Sequence, residues 1–448
     1  MKRIVILGAG PTGLGAGYRL NEIGYDNWDV YEMNPYVGGL SASFKDDKGF
    51  WWDIGGHILF SHYKYYDDCI EKLLGDALVS HERESWVRLM GTFVRYPFQN
   101  NFHFLPREVV LECIMGLIEA RQSPGKPTNF EEWIKAVFGD GIARYFLGPY
   151  NKKVWSHPLT MMDYNWIGER VSVVDIGHVM KNIVYGQDDS SWGPNNMFQF
   201  PLHGGTGGFF EAFVPVLGER IKLSHKAVKI STRDRKVVFE NGEETDYDTL
   251  ITTLPADLLV GMTDGAPDGV KEAAKNLKRA GGFIIGIGLA QPCPSDKNWM
   301  YFPEGNSPFY RVTYLSNYSP NMAPGENHYS LLCETSYSPF KEVNKETIIE
   351  ETIAGLVNSG IIREEDRKDI VSTYLIDSPY LLPIPSLGRD DCMRTIHSFL
   401  EEKEIFSRGR FGGWKYEVGN MDHSVMQGVE LVDRITSGGK ETTYRTGI

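Results

Sequence analysis

The chain has 448 residues, 42% of them hydrophobic and 23% charged, enough for a large core divided among two or three domains. Its net charge of −13 argues against nucleic acid and anionic membrane surfaces as partners, and it requires that an anionic substrate be met by locally placed arginines. No apolar run approaches the ~18 residues of a membrane span, and the five scattered cysteines (Cys69, Cys113, Cys293, Cys333, Cys392), with no Cys-x-x-Cys, indicate neither a disulfide framework nor a metal site and fit a reducing cytoplasm.

The N-terminus begins Lys2-Arg3 and turns apolar, which superficially mimics a signal peptide; a glycine fingerprint occupies that segment instead. Ile4–Leu7 has the length of a buried parallel strand and runs into Gly8, Gly10 and Gly13 in G-x-G-x-x-G spacing. The first glycine permits a tight turn, the second lets a pyrophosphate approach the backbone, and the third lets the following helix lie against the strand. That helix, over residues 12–24, points its N-terminal N–H groups at the phosphates. A second strand, Trp28–Tyr31, ends in Glu32, whose carboxylate can accept hydrogen bonds from both hydroxyls of an adenosine ribose. Strand, glycines, helix, strand and acid in this order predict a dinucleotide site. Two more glycine pairs follow, in Gly38-Gly39-Leu40-Ser41 and in Asp53-Ile54-Gly55-Gly56-His57.

Residues 58–82 read as a loop and a helix, and residues 86–89 and 93–96 as a hairpin. From Pro106 the apolar period becomes helical, with breaks around residues 139–141, so that residues 106–190 form a helical domain. The glycine-rich turn 204–208 leads into a helix FFEAFVPVLGER. Strands over 221–230, 236–240 and 250–254 return the chain to the nucleotide domain, and Val228 on the first of them is taken as a cofactor contact. Strand-like runs at 283–289, 300–302, 309–315, 328–334 and 370–374, with a helix at 345–358, predict an antiparallel sheet. The last helix, 421–435, brings Met421, Asp422 and Ser424 toward the cofactor. The expected fold is α/β. A Rossmann-like dinucleotide domain comprises 1–85, 204–265 and 400–437; the helical insertion follows, and 86–105 with 270–390 make the antiparallel sheet.

There is no Gly-x-Ser-x-Gly, His-Glu-x-x-His or P-loop, so hydrolysis and phosphoryl transfer lack support. Outside the glycine fingerprint, Tyr96-Pro97-Phe98-Gln99 offers rings and an amide suited to a uracil, and Asn151 with Trp155 adds another of each. Arg170 and Arg311 are suited to bidentate pyrophosphate binding, and Tyr301 could face the same cleft as Arg311.

Glu32, the Gly-Gly doublet and Gly-Gly-His resemble the FAD proteins of the amine oxidase and UDP-galactopyranose mutase group. The runs GGHILFSHYKYYDDC, YPFQNN, GPYNKKVW, IGERV, WGPN, GGTGG, YFPEGNSPFYR, LSNYSP and SRGRFGGWKYEVGNMDHS extend that likeness over residues 3–437 and resemble the eukaryotic-type UDP-galactopyranose mutases. The resemblance implies an isomerase that interconverts UDP-galactopyranose and UDP-galactofuranose, with N5 of reduced FAD attacking the anomeric carbon. It implies that Arg170 and Arg311 hold the diphosphate and stabilise departing UDP, that Tyr96, Phe98, Gln99, Asn151 and Trp155 hold uridine, and that Asn195, Tyr301, Tyr416 and Asn420 reach the sugar and phosphates. Gly8, Gly10, Gly13, Glu32, Gly39, Leu40, Ser41, Gly56, His57, Val228, Arg410, Met421, Asp422 and Ser424 would hold the FAD. His57 would sit beside N5, and its part is either catalytic or simple packing. NADPH would be the reductant, a UDP-sugar the partner, and neither nucleic acid nor membrane is expected; a homo-oligomer stays open. Two departures stand out: Leu381-Leu382 where the family has a tyrosine on the diphosphate, with Tyr380 the nearest phenol, and His203 where arginine is expected. The alternatives are a mutase for a related sugar nucleotide and a FAD-dependent oxidase of the amine oxidase group.

Overall fold

The computed structural model describes residues 1–122, 125–168, 174–189 and 196–444. Its N-terminal strand, Ile4–Leu7, is buried along its whole length and lies at the centre of a five-stranded parallel sheet. Thr249–Thr252 and then Ile405–Ser407 flank it on one side, Trp28–Tyr31 and then Ile221–Lys222 on the other. A strand covered on both faces must be apolar throughout, which is the composition of IVIL. The helices Pro11–Glu22 and Met421–Ser437 cross in close contact. Glycines make this possible: a Cβ built on Gly428 would stand 2.1 Å from the Thr12 carbonyl oxygen, and one on Gly15 would stand 2.6 Å from that of Val425.

The second sheet has seven strands, ordered Ile370–Pro383, Arg279–Leu289, Tyr329–Tyr337, Arg311–Tyr314, Trp299–Tyr301, Ser85–Leu89 and Thr92–Arg95. It is antiparallel except where Trp299–Tyr301 pairs in parallel with Ser85–Leu89. The helical part contains Arg107–Gln122, Phe130–Ile142, Gly148–Trp155 and Ile176–Tyr185. Its expected break falls at Gly139, whose φ of 71° places it against Gly116 of the preceding helix.

Three elements differ from their sequence reading. The run 221–230 is two strands: Ile221–Lys222 extends the parallel sheet, and Ala227–Ser231 starts a separate three-stranded antiparallel sheet. The break follows from backbone bonds to the loop after Tyr31, where Ser224 N–H donates to the Asn34 carbonyl and His225 N–H to that of Glu32. The predicted helix FFEAFVPVLGER is divided into Gly207–Glu211 and Val214–Leu217, because Pro215 has no N–H to continue the ladder. Residues 58–82 end in a strand, Leu78–Glu82, which pairs with the distant Met197–Pro201.

Candidate functional site

The two sheets and the helical part together line a cavity of about 1600 Å3. This exceeds the ~300–1,000 Å3 typical of a site for one small ligand, so it has room for a second molecule beside a bound cofactor.

One end is built by the glycine fingerprint. The Pro11–Glu22 helix starts at Gly10 with no side-chain cap and no acid in its first turn, which leaves its first N–H groups available to an anion. Gly39 lies in the left-handed region and its backbone faces that of Gly10. Glu32 is fixed at the end of its strand: its Oε2 accepts from Ala9 N–H at 2.8 Å, and its Oε1 from the Asn34 N–H and side-chain amide at 2.9 and 2.7 Å. At the N-terminus of the last helix Asp422 accepts from His62 N–H at 3.1 Å and shares hydrogen bonds with the His62 and His423 rings at 2.7 and 3.0 Å. Burial pushes its carboxyl up, but the bonds from His423 and His62 outweigh this and hold it well below the usual range. Beneath the glycine pair 55–56, the fully buried Asp53 accepts from Ser43 Oγ, Thr206 Oγ1 and Thr206 N–H, and so ties the turn 204–208 to the strand Trp51–Asp53. Burial, only partly offset by these bonds, pushes Asp53 up to about 6.

The other end is aromatic and cationic. The Tyr301 ring centroid lies 5.0 Å from that of Tyr96 and 5.2 Å from that of Tyr150. Trp155 donates from Nε1 to the Asn151 side-chain oxygen at 3.1 Å, while the Asn151 amide donates to the Leu147 carbonyl at 2.8 Å, so the pair is locked into its helix. Trp155 meets Tyr416 edge to face at 4.8 Å. Arg410 donates to the Gly419 carbonyl at 3.0 Å. Arg311 donates from Nε to Glu334 at 2.5 Å, and Tyr310 donates its hydroxyl to the same carboxylate at 2.8 Å. His57 is half-buried between the two ends, its Nδ1 shielded and with no hydrogen-bond partner among the described residues. Burial first, then the charges of Arg311 and Arg410, lower its imidazole to about 4. It is therefore neutral at neutral pH.

Of the residues expected at a cofactor, the cavity is lined by Gly8, Gly10, Glu32, Gly39, Leu40, Ser41, Gly56, His57, Arg410, Met421, Asp422 and Ser424. Of those expected at a substrate, it is lined by Tyr96, Gln99, Asn151, Trp155, Tyr301, Arg311, Tyr416 and Asn420. Three expected residues do not reach it. Gly13 lies behind the wall, where a Cβ would stand 1.8 Å from the Gly8 carbonyl oxygen, so it serves helix–strand packing. Phe98 is fully buried against Phe146, at 4.7 Å between centroids, and belongs to the core rather than to a uracil platform. Val228 is 42% exposed and does not line the cavity, although the bulge between Ala227 and Lys229 takes its backbone out of the strand register. Arg170 and Asn195 lie outside the described residues. Tyr380 lines the cavity, but its hydroxyl donates to Asp257 at 2.9 Å and its ring lies 4.0 Å from the Arg279 guanidinium. The substitute role expected of it for the tyrosine missing at Leu382 therefore has no free phenol to perform it.

Sequence reasoning missed Glu334, Tyr150 and Tyr310. Glu334 is the one acid in the strand YSLLCETSY, and a lone carboxylate in a buried strand demands a cation. That was the available signal.

The cradle at Gly10 and Gly39, the uncapped helix and the fixed Glu32 fit a flavin dinucleotide, and the chain matches the family described as flavin containing amine oxidoreductase over residues 11–381. The fold superposes on the crystal structure of a reduced UDP-galactopyranose mutase with a TM-score of 0.97 and 42% identity, covering 100% of this chain and 96% of that one. A putrescine oxidase bound to putrescine shares the fold at a TM-score of 0.66 and 16% identity, covering 97% of this chain and 98% of that one. Zeta-carotene desaturase of Zea mays is 29% identical over 99 residues, which are 22% of this chain and 17% of that protein. This chain therefore aligns with about a sixth of that curated relative. No helix among the described residues is long and apolar enough to cross a membrane.

Proposed function

This chain belongs to the flavin-containing amine oxidoreductase family and shares the fold of a UDP-galactopyranose mutase over its whole length, and on that premise we propose that it is a flavin-dependent mutase interconverting UDP-galactopyranose and UDP-galactofuranose. The observation that carries the reading is the single cavity in which a dinucleotide cradle opens onto Arg311 and a cluster of tyrosines. An amine substrate needs no arginine there, whereas a diphosphate does.

FAD held in this cradle would, when reduced, supply the nucleophile for the anomeric carbon in a reaction without net redox change. The rest is the work of the protein. Gly10, Gly39 and the N-terminus of Pro11–Glu22 receive the dinucleotide's pyrophosphate, and Glu32 its ribose hydroxyls. Tyr96, Gln99 and the locked pair Asn151–Trp155 orient the uridine. Arg311 meets the diphosphate and stabilises the charge that develops as UDP departs, and Arg170, by its IGERV motif, shares that task. Tyr301, Tyr416, Asn420 and Asn195 take the sugar and phosphates. His57, neutral, packs close to the reacting centre without adding charge there. The eukaryotic-type motifs favour NADPH as reductant, and the five free thiols are consistent with a reducing cytoplasm.

The test is redox stoichiometry. The ring contraction neither gains nor loses electrons, so oxidised enzyme under air is expected to be inactive. After one reduction per flavin under nitrogen, many turnovers are expected. One reductant consumed per product, or full activity in the oxidised state, rules the mutase out in favour of an oxidase.

A further inference from the structure

We propose that Glu334 is a positioning residue that holds Arg311 and the turn at residues 55–57 in one fixed relation, a role that rests on the mutase reading above. Arg311 and Glu334 stand directly opposite each other on adjacent antiparallel strands, so their side chains share a face at the closest cross-strand spacing. The Glu334 side chain is 3% exposed and that of Arg311 24%. Glu334 Oε1 accepts both from Arg311 Nε at 2.5 Å and from Gly56 N–H at 3.1 Å; Oε2 accepts from the Tyr310 hydroxyl at 2.8 Å. Burial pushes the carboxyl up, but the Arg311 charge and these donors hold it below its ordinary range, so it stays ionised.

Two consequences follow. Engaging Nε on the inner side leaves both Nη nitrogens of Arg311 without a hydrogen bond among the described residues, on a side chain that lines the cavity. The fork available to a diphosphate is thereby aimed by Glu334. The same carboxylate also anchors the turn that carries His57. That turn has no slack: Gly55 has φ +97° with a would-be Cβ 3.4 Å from Glu334 Oε2, and a Cβ on Gly56 would stand 2.6 Å from Thr313 Oγ1. Arg311 and the cofactor-side turn are therefore registered to one carboxylate.

Removing the negative charge leaves Arg311 cationic but undirected. Its attraction for a diphosphate persists, while the orientation needed in the transition state is lost. The prediction is a split that a merely structural role does not produce. In Glu334→Gln holoenzyme, kcat for UDP-galactopyranose is expected to fall tenfold or more, with the calorimetric Kd for UDP on oxidised enzyme changed less than threefold. A smaller fall in kcat, or a Kd weakened threefold or more, overturns the proposal. If Glu334→Gln does not retain FAD, Glu334→Asp keeps the buried charge on an arm too short to span both partners, and it is read by the same thresholds; failure of both to fold marks a folding element and overturns the positioning role. A wild-type protein that does not turn over UDP-galactopyranose is a failure of the mutase reading, seen before any variant is compared, and it takes this proposal with it.

Discussion

Gly10 and Gly39 face each other backbone to backbone: a Cβ on Gly39 would stand 3.2 Å from the Gly10 Cα. Gly39 also has φ +54°. A β-branched residue there incurs backbone strain of about 1–3 kcal/mol and fills the space through which a pyrophosphate approaches. Gly39→Val is expected to weaken FAD roughly tenfold or more. Flavin absorbance per chain after gel filtration measures it, and full occupancy would contradict the placement of the cofactor.

Arg311→Ala is expected to keep FAD and lose turnover. A lost charge-assisted hydrogen bond costs roughly 1.5–3 kcal/mol, on the order of ten- to a hundredfold in rate. The variant also leaves Glu334 buried without its cation, so its thermal midpoint should drop as well. Steady-state kinetics on reduced enzyme and a melting curve report the two effects separately.

Acid should destabilise the fold through two half-buried histidines. His57 is held at about 4, chiefly by burial and then by Arg311 and Arg410, against about 6.5 in the unfolded chain. Between those values the unfolded chain binds more protons. The contribution of this group is therefore complete above pH 6.5 and is lost as pH falls toward 4. At pH 5 the loss amounts to about 2 kcal/mol. His397, lowered to about 4 by burial and by Arg408, acts in the same direction. Urea unfolding at pH 7.5 and pH 5 should show a smaller difference in His57→Gln than in the wild type, and equal differences would refute the assignment.

Tyr380→Phe should leave UDP affinity within about twofold, because the hydroxyl is already engaged by Asp257. What it loses is that hydrogen bond, about 1 kcal/mol of stability. Calorimetry with UDP decides the point. A clear loss of affinity would restore the phenol to the site.

The parts of the molecule legible in the sequence are those whose chemistry is local. Gly8, Gly10 and Glu32 lie on one strand–helix–strand unit, and their spacing alone sets up the cradle. Arg311 was legible because a diphosphate needs a guanidinium. Its partner went unread: a lone acid in the strand YSLLCETSY signals some cation, but that the cation is Arg311, 23 residues away in the chain, is set by strand register. The strand Leu78–Glu82 was hidden for the same reason, its partner lying beyond the helical insertion. Only residues 370–374 of Ile370–Pro383 read as strand, because Asp377, Ser378 and Pro379 break the pattern; the pairing with Arg279–Leu289 continues past them through a bulge between Ala280 and Gly282. Phe98 misled by its neighbours: Tyr96 and Gln99 line the cavity, while the ring between them turns into the core.

The order of strands in the parallel sheet has a consequence for biosynthesis. Ile4–Leu7 pairs with Thr249–Thr252, and that strand in turn with Ile405–Ser407. A chain emerging from the ribosome makes its first strand about 245 residues before the neighbour on that side and about 400 before the outermost one. Contacts of such sequence separation form slowly. Until then the IVIL strand is an apolar edge without its cover. The nascent protein must therefore carry an unfinished flavin pocket through most of its synthesis, and a chain stopped before residue 405 should be a client for chaperones rather than a smaller flavoprotein.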